Sequence, residues 1–453
     1  MSSAHFQQLC ADIQDALPRL FIPGVGFGLI ENGEAHAAGF GVTSIENPQP
    51  VTPRTLFQVG SISKTFTGVL ASMLVEAGSL DLDAPVRTYL PELRLSDETV
   101  AARVTMRHLL NHTGGWVGDI FDDTGWGDDA LARMVAALAD VPQVAPLGEI
   151  WSYNNAGFYI AGRVIERISG QTFEATMQER VLTPLGMTHT YYFPWEIMTH
   201  RFVVGHEVIR EAATVARPWY IARNAGPVGS VVSCIEDMLI YARFHLSDGL
   251  AADGTRLLSV ESMGALRGLT TATDEQDRYV GLTMYSAVRG GKHLYGHGGA
   301  TRGQKAQMTI CNEDGFAFIL LTNGDYGSAL NREMEGKAFT FVLGLPTPEL
   351  TYRTLPEAEA GMLLGSYAMA STVIQVTREG ERLIMLVVDR GGFPKKDSPP
   401  SAEQYPPMEF RFYDESHFKV MDGPLKGTGG EILHGADGRV AWFRLFGRVH
   451  KPV

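Results

Sequence analysis

The sequence has only three cysteines, Cys10, Cys234 and Cys311, scattered over 453 residues. They are too few and too far apart for a disulfide framework or a zinc site, and they read as buried thiols. Long apolar runs are also missing. The longest, such as Phe316 to Leu321, fall far short of the roughly 20 residues that span a bilayer, so no membrane partner is expected. Basic runs are absent, and a formal net charge of −13 argues against a nucleic-acid surface, because an acidic face repels phosphates. The first ten residues hold no basic segment followed by an apolar one. No secretory signal is read there, and a cytoplasmic location is expected. His108 and His112 stand four apart, but no carboxylate or third histidine completes a metal site, so no metal and no cofactor is expected. No serine sits in a G-x-S-x-G elbow, which argues against an α/β-hydrolase.

What is present reads as a large globular enzyme, with 45% hydrophobic and 20% charged residues. Length alone sets a prior of about three domains, and the pattern divides the chain in two. Residues 23–43 read as a β-hairpin: Val25, Phe27 and Leu29 alternate, and Asn32-Gly33 is a type I′ turn signal. Gly24, Gly26 and Gly28 lack the spacing and the following helix of a dinucleotide fingerprint. From about 62 to 265 the period is mainly helical, with segments near 105–112, 129–139, 155–168, 173–181 and 235–246. A second hairpin follows at 303–323. Strands at both ends of a helical insert imply one sheet assembled from about 1–60 and 275–345, with the insert at about 75–270. Helix gives way to proline at Leu343 to Pro348. Beyond it, 350–453 carries short strand-like runs between Gly, Pro and Asp turns, which predict a small all-β barrel or sandwich. Lys395 to Pro407 has the composition of a mobile loop. The fold class expected is α+β, followed by this all-β domain.

Ser61-Ile-Ser-Lys64 places a hydroxyl and an amine three residues apart at the start of a predicted helix, on one face. Phe66, Val69, Leu70, Met73, Leu74 and Ala77 continue it as an amphipathic helix, and Gly78 supplies the stop. A serine there gains from the positive helix end, and a desolvated lysine beside it can act as a base. The S-x-x-K spacing is that of serine nucleophiles, although four residues alone fit an ordinary helix cap better.

Further motifs follow in order: Val104 to Gly115 (VTMRHLLNHTGG), Tyr153-Asn-Asn155, Pro184-Leu-Gly-Met187 and His297-Gly-Gly299. Together they resemble the class C β-lactamase, DD-peptidase and D-aminopeptidase family of penicillin-binding-protein-like serine hydrolases, over roughly residues 20–345. The resemblance implies an antiparallel sheet flanked by helices plus an all-α subdomain. It implies Ser61 as the acylated nucleophile, Lys64 as its proton acceptor and Tyr153 as the proton shuttle. Asn155, His297, Gly298 and Gly299 would position the substrate, with the backbone N–H groups of Ser61 and Ala300 as the oxyanion hole. Histidine at 297, where β-lactamases of the family keep lysine, removes a permanent cation and makes efficient penicillin hydrolysis unexpected.

Arg302, Trp116 and Asp123 are the candidate substrate contacts. Lys305 is a second strand-end cation, and Asn224 to Ser230 a glycine-rich turn at the cleft edge. The acidic loop Asp119 to Asp129 reads first as a solvated loop, with lining of the cleft mouth as the alternative; His108 and His112 are read as structural. The expected activity is hydrolysis of amide or ester bonds through an acyl-enzyme. The expected substrates are small molecules or short peptides, with D-residues leading. Alternatives are a carboxylesterase, or a penicillin-binding-protein-type peptide cyclase or thioesterase, which also appends a lipocalin-like barrel. A β-lactamase and a non-catalytic binding protein rank below these. The C-terminal domain is expected to cap or border the cleft, or to form a homo-oligomer contact, and its deletion after about residue 348 is expected to alter substrate range without removing the acylation machinery.

Overall fold

The computed structural model describes residues 3–391 and 405–453. All but the last three residues of the loop expected to be mobile, Lys395 to Pro407, lie outside the described residues. An eight-stranded antiparallel sheet runs in the order Glu34–Gly41, Gly24–Glu31, Phe316–Thr322, Gln304–Cys311, Lys292–Thr301, Tyr285–Arg289, Arg278–Val280 and Thr271–Ala272. Its strands come from both ends of the helical insert, as the two hairpin signals imply. Alternation assigns the faces. Val25, Phe27 and Leu29, with Phe316, Phe318 and Leu320, enter one core, whereas Ile30, Ala317, Ile319 and Leu321 enter the other. Between the odd residues, Gly26 and Gly28 lie against a helix. A Cβ on them would come within 2.8 Å and 3.0 Å of Ile235, so these glycines let the helix Ile235–Leu246 rest directly on the sheet.

The opposite face is covered by Gly327–Leu343 and by an N-terminal helix, Ala4–Arg19, in a stretch that the sequence reading assigns to the sheet. Ser3 caps it by accepting from the Phe6 N–H, and Phe6, Leu9, Ile13 and Ala16 form its buried stripe. That 3–4 spacing was present in the sequence, diluted by polar neighbours. Two short ribbons, Phe57–Gln58 with Val232–Ser233 and His206–Ile209 with Ala212–Val215, also interrupt the region read as helical. The helix after Ser61, Ser63–Glu76, is a central element rather than an amphipathic surface one. Ser63 through Ser72 are buried. Its hydroxyls are satisfied internally: Thr65 donates to Ile62 O at 2.8 Å and Thr67 to Pro227 O at 2.8 Å.

The C-terminal strands close into an eight-stranded antiparallel barrel, sealed where Tyr367 pairs with Pro452. Closure leaves no edge strand to protect. Phe410, Phe418 and Phe443 fill its interior, with ring centroids 4.9–6.1 Å apart. Cys234 and Cys311 are buried thiols, while Cys10 is half-buried. No helix among the described residues is long and apolar enough to cross a membrane.

The core assignment makes a direct prediction. Phe318→Ala, at a side chain with no exposed surface, should lower the unfolding free energy by about 3–5 kcal/mol. Val288→Ala, at 48% exposure, should stay within about 0.5 kcal/mol. Urea titrations of both variants check the difference.

Candidate active site

Ser61 lies in a single 3-10 turn, Gly60–Ile62, that leads into Ser63–Glu76. Two glycines fix its position. Gly60 has φ +54°, and a Cβ there would lie 2.6 Å from the Ala300 amide nitrogen. A Cβ on Gly299 would lie 1.9 Å from Val59 O and 3.3 Å from the Ser61 nitrogen. The serine turn is therefore pressed against the strand Lys292–Thr301, a contact only glycine permits. The Ser61 and Ala300 amides meet at this seam.

Lys64 is fully buried. Its Nζ donates to Ser61 Oγ at 3.1 Å and to Val228 O at 2.8 Å, and it lies 5.1 Å from the centroid of the Tyr153 ring. No carboxylate among the described residues forms an ion pair with it. Burial, reinforced by the charge of Arg448 and opposed by Asp119, holds its pKa well below the ordinary lysine value.

Tyr153 precedes the helix Asn155–Ser169, which Asn154 caps by accepting from the Gly157 N–H at 2.9 Å. Its ring stacks on His112 at 4.3 Å. Burial pushes the phenol up to about 12, a rise that Ser61 and Arg448 partly offset. His112 also accepts from the Asn154 N–H at 2.9 Å, and His108 completes a capping box with Thr105. Both histidines are thus engaged in shaping the site's backbone. Asn155 donates to Asp119 Oδ1 at 2.7 Å.

His297 is 3% exposed, and its Nδ1 contacts Gly298 O while Nε2 is buried without a partner among the described residues. Burial and then the nearby Lys64 push its pKa down to about 3. The imidazole is therefore neutral.

These groups open on a cleft of about 1030 Å³. Its lining includes Asp119, Phe121, Trp151, Phe446 and Arg448, together with Asn331, Arg332 and Glu335. Burial raises the carboxyl of Glu335, against hydrogen bonds from Thr309 and Gln307.

Of the candidate contacts, Arg302 lines the cleft but donates to Glu207 at 2.6 Å, and Lys305 lines it beside Asp325. Trp116 is corrected: it is 2% exposed, packed in the main core, and does not line the cleft. Asp123 is corrected as well, being exposed outside the cleft, where it accepts from the Gly125 N–H at 2.8 Å. The acidic loop reaches the site through Asp119 instead. Ala225, Val228 and Gly229 of the glycine-rich turn line the cleft, and Val228 supplies the carbonyl that holds Lys64.

Sequence reading missed Arg448. Its guanidinium donates to both Asp119 oxygens at 2.9 Å and lies 4.6 Å from the Tyr153 ring centroid. It belongs to the barrel, almost 300 residues after Tyr153, and no local pattern marks it.

A protein-family profile described as Beta-lactamase matches residues 11–339. The chain is 34% identical over 341 residues to penicillin-binding protein 4 of Amycolatopsis lactamdurans, covering 73% of this chain and 88% of that one. Among solved structures it is similar to SurE with D-Leu, with a TM-score of 0.76 and 24% identity over the whole of both chains. It is also similar to the D-amino acid amidase of Ochrobactrum anthropi SV3 complexed with L-phenylalanine amide. That TM-score is 0.63 at 22% identity, covering 75% of this chain and 99% of that one. These two structural likenesses establish the fold.

The burial of His297 is testable by itself. Between pH 8 and pH 5 its ring should remain neutral in long-range ¹H–¹⁵N NMR spectra, because desolvation disfavours the imidazolium. A titration midpoint inside that window would contradict the geometry.

Proposed function

The chain belongs to the beta-lactamase family of serine hydrolases, and on that premise we propose that it cleaves amide or ester bonds through an acyl-enzyme at Ser61. The observation that carries this reading is the desolvated Lys64 amine, 3.1 Å from Ser61 Oγ with no pairing carboxylate among the described residues. An unprotonated lysine accepts the Ser61 proton as Oγ forms its bond to the substrate carbonyl carbon. The backbone N–H groups of Ser61 and Ala300 take the developing oxyanion. Tyr153, held in the phenol form by burial, passes a proton to the departing nitrogen or oxygen as the old bond breaks, and recovers one from Lys64. A second nucleophile then attacks the acyl-enzyme and releases Ser61. Asn155, His297, Gly298 and Gly299 border the acyl group.

The substrate class we propose is a small peptide or amide with a D-configured residue. The two structural likenesses support this, one bearing D-Leu and the other an amidase of D-amino acids. The cleft, at about 1030 Å³, is at the upper end of the roughly 300–1,000 Å³ usual for small ligands and has room for a peptide. The acceptor is either water or a substrate amine. The second reading, a peptide cyclase or thioesterase, is favoured by the closed C-terminal barrel, which enzymes of that type in the family also append. A neutral His297 weighs against penicillin hydrolysis, and an intact Ser61, Lys64 and Tyr153 against a non-catalytic binding protein.

The test combines kinetics with intact mass. Wild type should hydrolyse a short nitrophenyl ester and form a trapped acyl adduct that Ser61→Ala cannot form. Lys64→Ala should lower kcat/KM by about 10²–10⁴-fold, the range of a lost general base, and His297→Ala by less. A larger loss at His297 than at Lys64 would mean the base is misassigned. D-residue amides should outpace their L-counterparts, and added amine should divide the products between hydrolysis and aminolysis if the acceptor is an amine.

A further inference from the structure

The last hairpin of the barrel enters the cleft. Leu445 pairs with Arg448 across the two-residue turn Phe446-Gly447, and both turn residues are left-handed, with φ of +54° and +72°. That is the type I′ geometry. Glycine accepts it freely, but a phenylalanine there costs on the order of 1–3 kcal/mol, and such strain gathers at functional sites. Phe446 is nonetheless 39% exposed and lines the cleft. Gly447 O accepts from the Tyr153 N–H at 2.8 Å. A Cβ on Gly447 would lie 2.9 Å from the Trp151 ring, so the turn fits against the Tyr153 segment only with glycine. Val449 N–H donates to Ser152 Oγ at 3.4 Å, and farther along the seam Arg444 donates to Thr273 O at 3.0 Å. The barrel is bonded to the backbone that carries Tyr153 and to the strand end beside it.

We propose that the barrel completes the catalytic centre, with Arg448 as a positioning residue that holds Asp119 on Asn155 and sets a positive charge beside Tyr153 and Lys64. The proposal rests on the reading of Ser61 and Lys64 as nucleophile and base. Its geometry is a relay: Arg448 grips both oxygens of Asp119 at 2.9 Å, and Asp119 Oδ1 accepts from Asn155 Nδ2 at 2.7 Å. Asn155 is thus aimed from the barrel through one carboxylate. The Arg448 guanidinium also caps the Tyr153 ring, with Lys64 Nζ over the same ring. Around Lys64 stand Ser61, the rings of Tyr153 and Phe158, and the buried histidines His112 and His297, whose pKa values burial lowers. Arg448 and Asp119 are the charged groups that act on it, with opposite signs. On this proposal the barrel does more than set substrate range.

The opposite signs give the test. In the full-length protein, the acid limb of kcat/KM against pH follows Lys64. Arg448→Gln removes a repelling cation and frees Asp119, so the limb should move to higher pH by about 0.5–1.5 units. Asp119→Asn removes the attracting charge and leaves Arg448 unpaired, so the limb should move to lower pH. Millimolar guanidinium should partly rescue Arg448→Ala and leave wild type unchanged. Shifts in the same direction, or lower rates with an unmoved limb, would overturn the proposal. Asp119→Asn carries the test alone if the arginine variants fail to fold, because it leaves the barrel untouched. If Ser61→Ala kept full activity, the underlying reading would fail instead, so the two failures are distinguishable.

Discussion

An amine held away from water is costly for a protein to carry, and Lys64 carries one without a pairing carboxylate among the described residues. Its surroundings follow from that constraint. The helix that bears it is buried over almost all its length, so polar residues at 63, 65 and 67 must bond internally. A carboxylate at ion-pair distance would favour the protonated form, and the nearest acid that acts on the amine, Asp119, is instead occupied by Arg448 and Asn155. The groups that do touch Nζ are a hydroxyl, a backbone carbonyl and aromatic faces. Each tolerates a neutral amine. The sheet, the insert helices and the barrel turn together supply the walls that keep the solvent out.

The parts of this site legible in the sequence are those written in local spacing. Ser61 and Lys64 are one helical turn apart, Tyr153 and Asn155 flank one cap residue, and His297 to Ala300 lie on one strand. Each motif is readable because its geometry follows from a single element. The seam between Gly60 and Gly299 was legible only as two glycines, since the close approach they allow joins segments over 200 residues apart. Arg448 was illegible for the same reason in stronger form. Its partners Asp119 and Tyr153 come from a loop and a helix start of the other domain, and nothing in the spacing of an arginine after Phe-Gly marks it. Asp119 looked like one of five aspartates in a solvated loop, and only the partner from the barrel distinguishes it.

The errors have physical sources too. Trp116 and Asp123 were judged by residue type and by nearness to a motif, but burial and loop direction decide contact. Trp116 packs inward with the main core, and Asp123 turns back on Gly125. The N-terminal helix shows the reverse case, a correct 3–4 stripe in a segment expected to start the sheet. In the sheet itself, Gly26 and Gly28, which the sequence marks only as lacking a dinucleotide fingerprint, are where the helix Ile235–Leu246 makes its approach.

His297 then determines what kind of electrostatics the proposed reaction uses. A lysine on that strand would place a fixed cation beside the acyl group, and it would need its own desolvation offset. The neutral imidazole removes that charge from the seam where Ser61 and Ala300 meet. What remains to stabilise an oxyanion is a pair of backbone dipoles, held rigid by two glycine contacts that admit no side chain. The full positive charge nearest Tyr153 comes from the barrel and is already neutralised by Asp119. Such a site is selective by shape and by dipoles more than by net charge. It therefore suits an uncharged amide or ester carbonyl, and a chain-distant arginine can orient the machinery without drawing an anionic substrate to it.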